Sequence, residues 1–212
     1  MALKIKVCGM RNPDNILELT KLNPEFIGFI FQPQSKRFIG SNIPEEIRVL
    51  IPPSIHKVGV FVDESPDSLI EKFRISQLKM VQLHGSEPAE YCERLKDLDI
   101  PVIKAFSITP IFDFSTTEPY ESFCDYFLFD TAGVLKGGTG LKFDWSKLND
   151  YRGNKPFFLS GGIHYSDIEN IKSIDHDKLY GVDVNSGFET EPGIKNISHL
   201  ASFINDLRNY KI

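Results

Sequence analysis

Cys8 closes a short apolar run, residues 3–10, LKIKVCGM, in which Leu3, Ile5 and Val7 alternate with Lys4 and Lys6. The alternation is that of a half-buried strand, and Arg11-Asn12-Pro13 follows as a turn signal. The thiol therefore sits where a strand hands over to a loop. A thiol with a pKa of about 8.5 needs only a modest shift to serve as a general base at neutral pH. Gly9 lets a ligand approach the backbone closely. The structural alternative is a small buried hydrophobe, the commoner fate of a free cysteine.

Asp130 ends another strand-like run, YFLFD. A carboxyl there either caps a turn or faces a ligand. The next ten residues, TAGVLKGGTG, hold four glycines, Gly138 and Gly140 among them, and can form a lid or a phosphate cradle. Two further strand ends are glycine-rich. One reads Leu159-Ser160-Gly161-Gly162, the other Asp183-Val184-Asn185-Ser186-Gly187. Either is a tight turn taken alone. After the seventh and eighth strands of a barrel, the pair matches a phosphate site built from backbone N–H groups and a short helix.

Arg37, in Gln34-Ser35-Lys36-Arg37-Phe38, is either part of a solvated loop or a planar clamp for a carboxylate. His84, after the fourth strand, is a rim residue, a ligand contact or a satisfied structural histidine. His56, His164, His176 and His199 are peripheral, and no set of His, Cys and carboxylates has metal-ligand spacing.

Eight strand-like runs carry these residues: Leu3–Cys8, Phe26–Phe31, Lys57–Val62, Met80–Leu83, Val102–Ala105, Tyr126–Phe129, Phe157–Leu159 and Tyr180–Val184. Helical patterns separate most of them. Asn12-Pro13-Asp14, Pro44-Glu45-Glu46, Ser65-Pro66-Asp67 and Glu87-Pro88 open four of these, Ser166 caps a fifth, and the last runs from Ile194 to Leu207. Residues 109–123 give no clean helix and 142–151 at most a short one. Alternating strands and helices imply a parallel sheet, and eight units in this length fit a (β/α)₈ barrel occupying residues 1–212 as one domain. A doubly wound open sheet is the runner-up, and it lacks a GxGxxG in the first turn.

The chain has 212 residues, 41% hydrophobic and 25% charged, as a soluble globular protein does. Its net charge of −5 argues against a sequence-independent nucleic-acid binder and gives no reason to expect an anionic membrane surface as partner. No apolar run reaches transmembrane length, and no signal peptide precedes the first strand. Three cysteines without a CxxC form no disulfide framework, so the expectation is a reducing cytoplasm. A monomer is expected separately.

The segments KVCGM, GFIF, PQSKRFI, VGVFVDE, VQLHGSE, VIKAF, FLFDT, GGTGLKFDW, LSGGI and DVNSGFE, in this order, resemble the phosphoribosylanthranilate isomerases of tryptophan biosynthesis from Lys4 to about Gly193. The resemblance implies a (β/α)₈ barrel, a small phosphorylated substrate, no cofactor, and an Amadori rearrangement of N-(5'-phosphoribosyl)anthranilate. It implies Cys8 as general base, Asp130 as general acid and Arg37 as the anthranilate carboxylate contact. Gly138, Gly140, Gly161, Gly162, Ser186 and Gly187 would hold phosphate. His84 stands beside these as a candidate substrate contact that the resemblance does not assign. Many relatives have two serines in the last motif, and Asn185 replaces the first. The related histidine-pathway isomerases carry an aspartate where Cys8 stands. A metal-dependent epimerase would need a ligand cluster. A non-catalytic phosphate-binding barrel would need neither Cys8 nor Asp130.

Overall fold

The structure, a computed structural model, describes residues 3–130 and 145–209. Eight parallel strands close into a barrel in sequence order: β1 (Lys4–Val7), β2 (Phe26–Ile30), β3 (His56–Phe61), β4 (Met80–Leu83), β5 (Val102–Ser107), β6 (Tyr126–Asp130), β7 (Phe157–Ser160) and β8 (Leu179–Val184). The seam pairs β1 with β8, Lys6 opposite Asp183. The same level runs on through Ser160 of β7 to Asp130 of β6.

Both faces of these strands are buried, which closure demands. One face of the sheet, with Ile5, Val7, Ile27, Phe29 and Phe129, belongs to the core that includes the helices. The other fills the barrel with Phe26, Val58, Met80, Ile103, Leu128 and Phe158. Phe26 and Phe158 meet edge to face at 5.3 Å, the arrangement that ring quadrupoles favour. The alternation around Lys6 therefore does not mark a solvent face: Lys6 is fully buried and paired with Asp183 at 2.9 Å. Between β7 and β8 the register slips, Phe157 pairing with Leu179 and Phe158 with Gly181. Tyr180 is left over and packs on the inner cluster.

The helices α1 (Pro13–Thr20), α2 (Glu45–Arg48), α3 (Pro66–Ile75), α4 (Ala89–Lys96), α5 (Ile168–Lys172) and α6 (Ile197–Arg208) lie between or after the strands. Asn12 caps α1 by accepting the Asn15 N–H at 2.9 Å, with Pro13 in its first turn. The connections without a clean helical pattern contain 3₁₀ segments, Phe114–Tyr120 and Trp145–Asp150.

Two expected helix starts differ. Ser166 does not cap α5. It lies inside a 3₁₀ turn, Tyr165–Asp167, where the Asp167 carboxylate accepts the His164 N–H at 2.8 Å. The last helix starts at Ile197, capped by Asn196, because residues 189–195 fold back as a hairpin, β9 (Glu189–Glu191) and β10 (Ile194–Lys195). Gly193, at φ +87°, supplies the left-handed residue of its turn.

Candidate active site

Cys8 follows β1 directly, and its N–H is held by the Val184 carbonyl at 2.9 Å. It is 4% exposed. Gly28 of β2 makes room for the thiol: a Cβ there would stand 2.8 Å from Cys8 Sγ and 3.2 Å from Lys6 Nζ. Burial pushes the Cys8 thiol above its ordinary pKa, the Lys6 ammonium pulls it back, Asp183 pushes it up and Lys195 pulls it down. Gly9 turns the chain at φ +78°, and the space of its missing side chain is taken by Arg37 Cδ and Asn185 Oδ1.

Asp130 is the last residue of β6, with its side chain 20% exposed. Its Oδ2 lies 3.2 Å from His84 Nε2, and Gln82 Nε2 lies 2.8 Å from His84 Nδ1. His84 is thus a hydrogen-bond partner of Asp130, a pairing the sequence did not single out. The loop that carries it is clamped by Glu87, which accepts from the Gly85 and Asp63 N–H groups and pairs with the buried Lys104 at 2.8 Å.

Arg37 reaches the rim from the loop after β2. Its guanidinium forks onto Glu189. Glu189 also accepts from the Gly193 N–H at 3.0 Å and from Lys195 Nζ at 2.7 Å. Lys195 Nζ in turn donates to Asn185 Oδ1 at 2.7 Å, tying Arg37 to the loop after β8. Burial alone would raise the Glu189 pKa, but the Arg37 and Lys195 hydrogen bonds hold it at about 2. Neither Glu189 nor Lys195 was singled out from sequence. The hairpin that brings them to Arg37 reads locally as the start of a helix.

The loops after β7 and β8 meet. A Cβ on Gly187 would fall 2.1 Å from the Ile163 carbonyl oxygen, so Gly187 is the residue that lets them touch. Gly161 and Gly162 both have positive φ, +104° and +61°, and the Cβ position of Gly162 faces open space. Ser186 and Gly187 form a short 3₁₀ turn, Ser186–Phe188. Gly161, Gly162, Ser186 and Gly187 are thereby gathered beside the rim that carries Cys8 and Asp130. Gly138 and Gly140 lie outside the described residues. Among the described residues no group of three or more His, Cys, Asp or Glu could hold a metal ion.

The family model for N-(5'-phosphoribosyl)anthranilate isomerase matches residues 5–206. The Parabacteroides distasonis N-(5'-phosphoribosyl)anthranilate isomerase is 45% identical over 205 residues, covering 96% of this chain and 92% of that one. The crystal structure of phosphoribosylanthranilate isomerase from Thermotoga maritima, an enzyme described as dimeric, has a TM-score of 0.86 at 33% identity and covers 98% of this chain and 100% of that one. A phosphoribosylanthranilate isomerase holding reduced 1-(o-carboxyphenylamino)-1-deoxyribulose 5-phosphate has a TM-score of 0.83 at 32% identity, covering 98% and 100%. With its barrel closed and its motif residues gathered at the rim, the chain belongs to the N-(5'-phosphoribosyl)anthranilate isomerase family.

Proposed function

We propose that Cys8 and Asp130 are the base and acid of an Amadori rearrangement carried out in the barrel mouth. The chain is an aldose–ketose isomerase of tryptophan biosynthesis, converting N-(5'-phosphoribosyl)anthranilate to 1-(2-carboxyphenylamino)-1-deoxyribulose 5-phosphate. Asp130 gives a proton to the ribose ring oxygen as the C1–O bond breaks, leaving an iminium at C1. The iminium acidifies the C2 proton, which the Cys8 thiolate removes. The resulting enolamine tautomerises to the ketone by gaining a proton at C1. One acid and one base suffice, and the steps call on no redox or metal chemistry.

The observation that carries this reading is the position of both residues at the C-terminal ends of their strands, Cys8 just past β1 and Asp130 closing β6, with β7 and β8 between. Active sites of this fold collect at that rim. The ligand phosphate is read at Gly161, Gly162, Ser186 and Gly187, joined by Gly138 and Gly140. The anthranilate carboxylate is read at Arg37. His84 is read as the group that holds Asp130 towards the ribose.

Incubation with freshly made phosphoribosylanthranilate tests the reading: the anthranilate-type fluorescence should decay with multiple turnovers, with no metal added and with chelator present. Absence of turnover, or turnover only after a divalent ion is restored, contradicts it.

The chain is further read as a monomer working in the cytoplasm. No helix among the described residues is long and apolar enough to cross a membrane. Sedimentation equilibrium should return the mass of one chain, and a dimer mass would overturn that part.

A further inference from the structure

Lys6 is a fully buried lysine in the barrel wall. Its strand neighbour Lys4 is 41% exposed and faces Glu25, whereas Lys6 is fully buried, level with Asp183 across the seam. Ammonium groups are almost never found fully buried unless paired, and a buried ion pair is seldom more stabilising than apolar side chains of similar volume. Stability alone therefore gives little reason for a lysine here.

Its place does. Lys6 Nζ and Cys8 Sγ both lie within 3.2 Å of the one point where a Gly28 Cβ would stand. The thiol and the ammonium meet over the bare backbone of β2. The charged groups that act on Cys8 are Lys6 from β1, Asp183 from β8, Lys195 from β10 and Arg37 from the loop after β2. Two of the three cations are committed elsewhere, since Arg37 and Lys195 both bond Glu189 and Lys195 also bonds Asn185. Lys6 donates to Asp183 Oδ2 at 2.9 Å, while the other oxygen, Oδ1, is buried with no hydrogen-bond partner among the described residues.

We propose that Lys6 is a positioning residue for the thiolate of Cys8: its buried ammonium, anchored by Asp183, is the countercharge that makes the base available. This rests on the reading of Cys8 as general base. Asp183 keeps the cation charged and in place in a site where an unpaired ammonium would lose its proton. On this proposal the pair belongs to the chemistry, and the barrel closes around it.

The test compares wild type with Lys6→Met and with Lys6→Met/Asp183→Asn, in which both charges are gone and no lone carboxylate remains buried. Thiolate formation at Cys8 is followed by ultraviolet difference titration against Cys8→Ser, alongside the pH dependence of kcat/KM. Both variants should move the Cys8 midpoint upward by about one unit or more, a tenfold or greater loss of thiolate at neutral pH. Activity should fall in the same proportion at neutral pH and recover at high pH. An unchanged midpoint in a folded double variant overturns the proposal. So does failure of both variants to fold where Cys8→Ser folds, since the pair would then serve the fold. If Cys8→Ser keeps full activity, the reading of Cys8 as base fails first. If Cys8→Ser is inactive and the midpoint stays put, only the role of Lys6 falls.

Discussion

Arg37 is forked onto Glu189: Nε lies 2.8 and 3.1 Å from the two carboxylate oxygens and Nη2 lies 2.5 Å from Oε2. The guanidinium is held along one edge, and its Nη1 makes no hydrogen bond among the described residues. A carboxylate ligand therefore meets a preoriented donor, and little rotamer entropy remains to be lost on binding.

Arg37→Ala should weaken binding of a carboxylated product analogue by about tenfold to a hundredfold, the worth of a charge-assisted pair of roughly 1.5–3 kcal/mol. Inorganic phosphate should bind as before if, as proposed, the loops after β7 and β8 hold it. Arg37→Lys keeps the charge without the fork and should recover part of the loss. Calorimetric titration of both ligands decides. Equal losses for both would put Arg37 at the phosphate and reverse the orientation of the substrate.

Glu189 predicts an acid limb in stability. Its folded pKa of about 2 lies below the ordinary value of 4.5. The stabilisation is fully present above about pH 4.5 and is lost as pH falls towards about 2, because the unfolded chain takes up the proton first. Urea denaturation across that window should show stability falling in wild type and a flatter dependence in Glu189→Gln. Identical slopes in the two proteins would remove Glu189 as an acid-sensitive tie.

Asp130→Asn keeps the shape, loses the transferable proton, and should lower kcat by roughly 10²–10⁴-fold, the usual worth of a positioned acid. His84→Ala removes the contact with Asp130 Oδ2 and should lower kcat less, with the protein still folded. Steady-state kinetics over a pH series separates the two. An Asp130→Asn profile that overlays wild type would take Asp130 out of the mechanism.

Gly28→Ala places a methyl 2.8 Å from Cys8 Sγ and 3.1 Å from Cys8 Cα. The backbone contact cannot swing away as a side chain would, so Cys8 itself must shift. Activity should drop steeply, by at least about tenfold, since a small misplacement of a reacting group is expensive. Far-ultraviolet circular dichroism should stay native. An active Gly28→Ala protein would mean that the thiol has slack at this wall.

The strand count was legible because each barrel strand is a compact apolar run bounded by turn residues, and all eight runs became strands with ends shifted by at most one or two residues. The rim was legible for the same reason: Cys8, Asp130, Ser160 and Asn185 each follow or end such a run. Lys6 was misplaced because period-two alternation means a wet face only when one side of the sheet is wet. In a closed barrel the other side is a core, and a lysine there must bring Asp183 from 177 residues away. That partnership has no local signature. Glu189 and Lys195 were missed for a related reason. Ile194 continues the apolar period of α6, and only the Gly193 turn and the cap at Asn196 separate the hairpin from the helix. The identity of the Asp130 partner also waited on the fold, since His84 comes from a strand two places round the barrel.

The central claim is that Cys8 removes the C2 proton. Single-turnover fluorescence decay of phosphoribosylanthranilate, with wild type and Cys8→Ala at saturating protein, reads that step directly. Cys8→Ala should bind the substrate with nearly unchanged affinity and convert it roughly 10²–10⁴ times more slowly. Conversion by Cys8→Ala at a rate close to wild type would contradict the assignment.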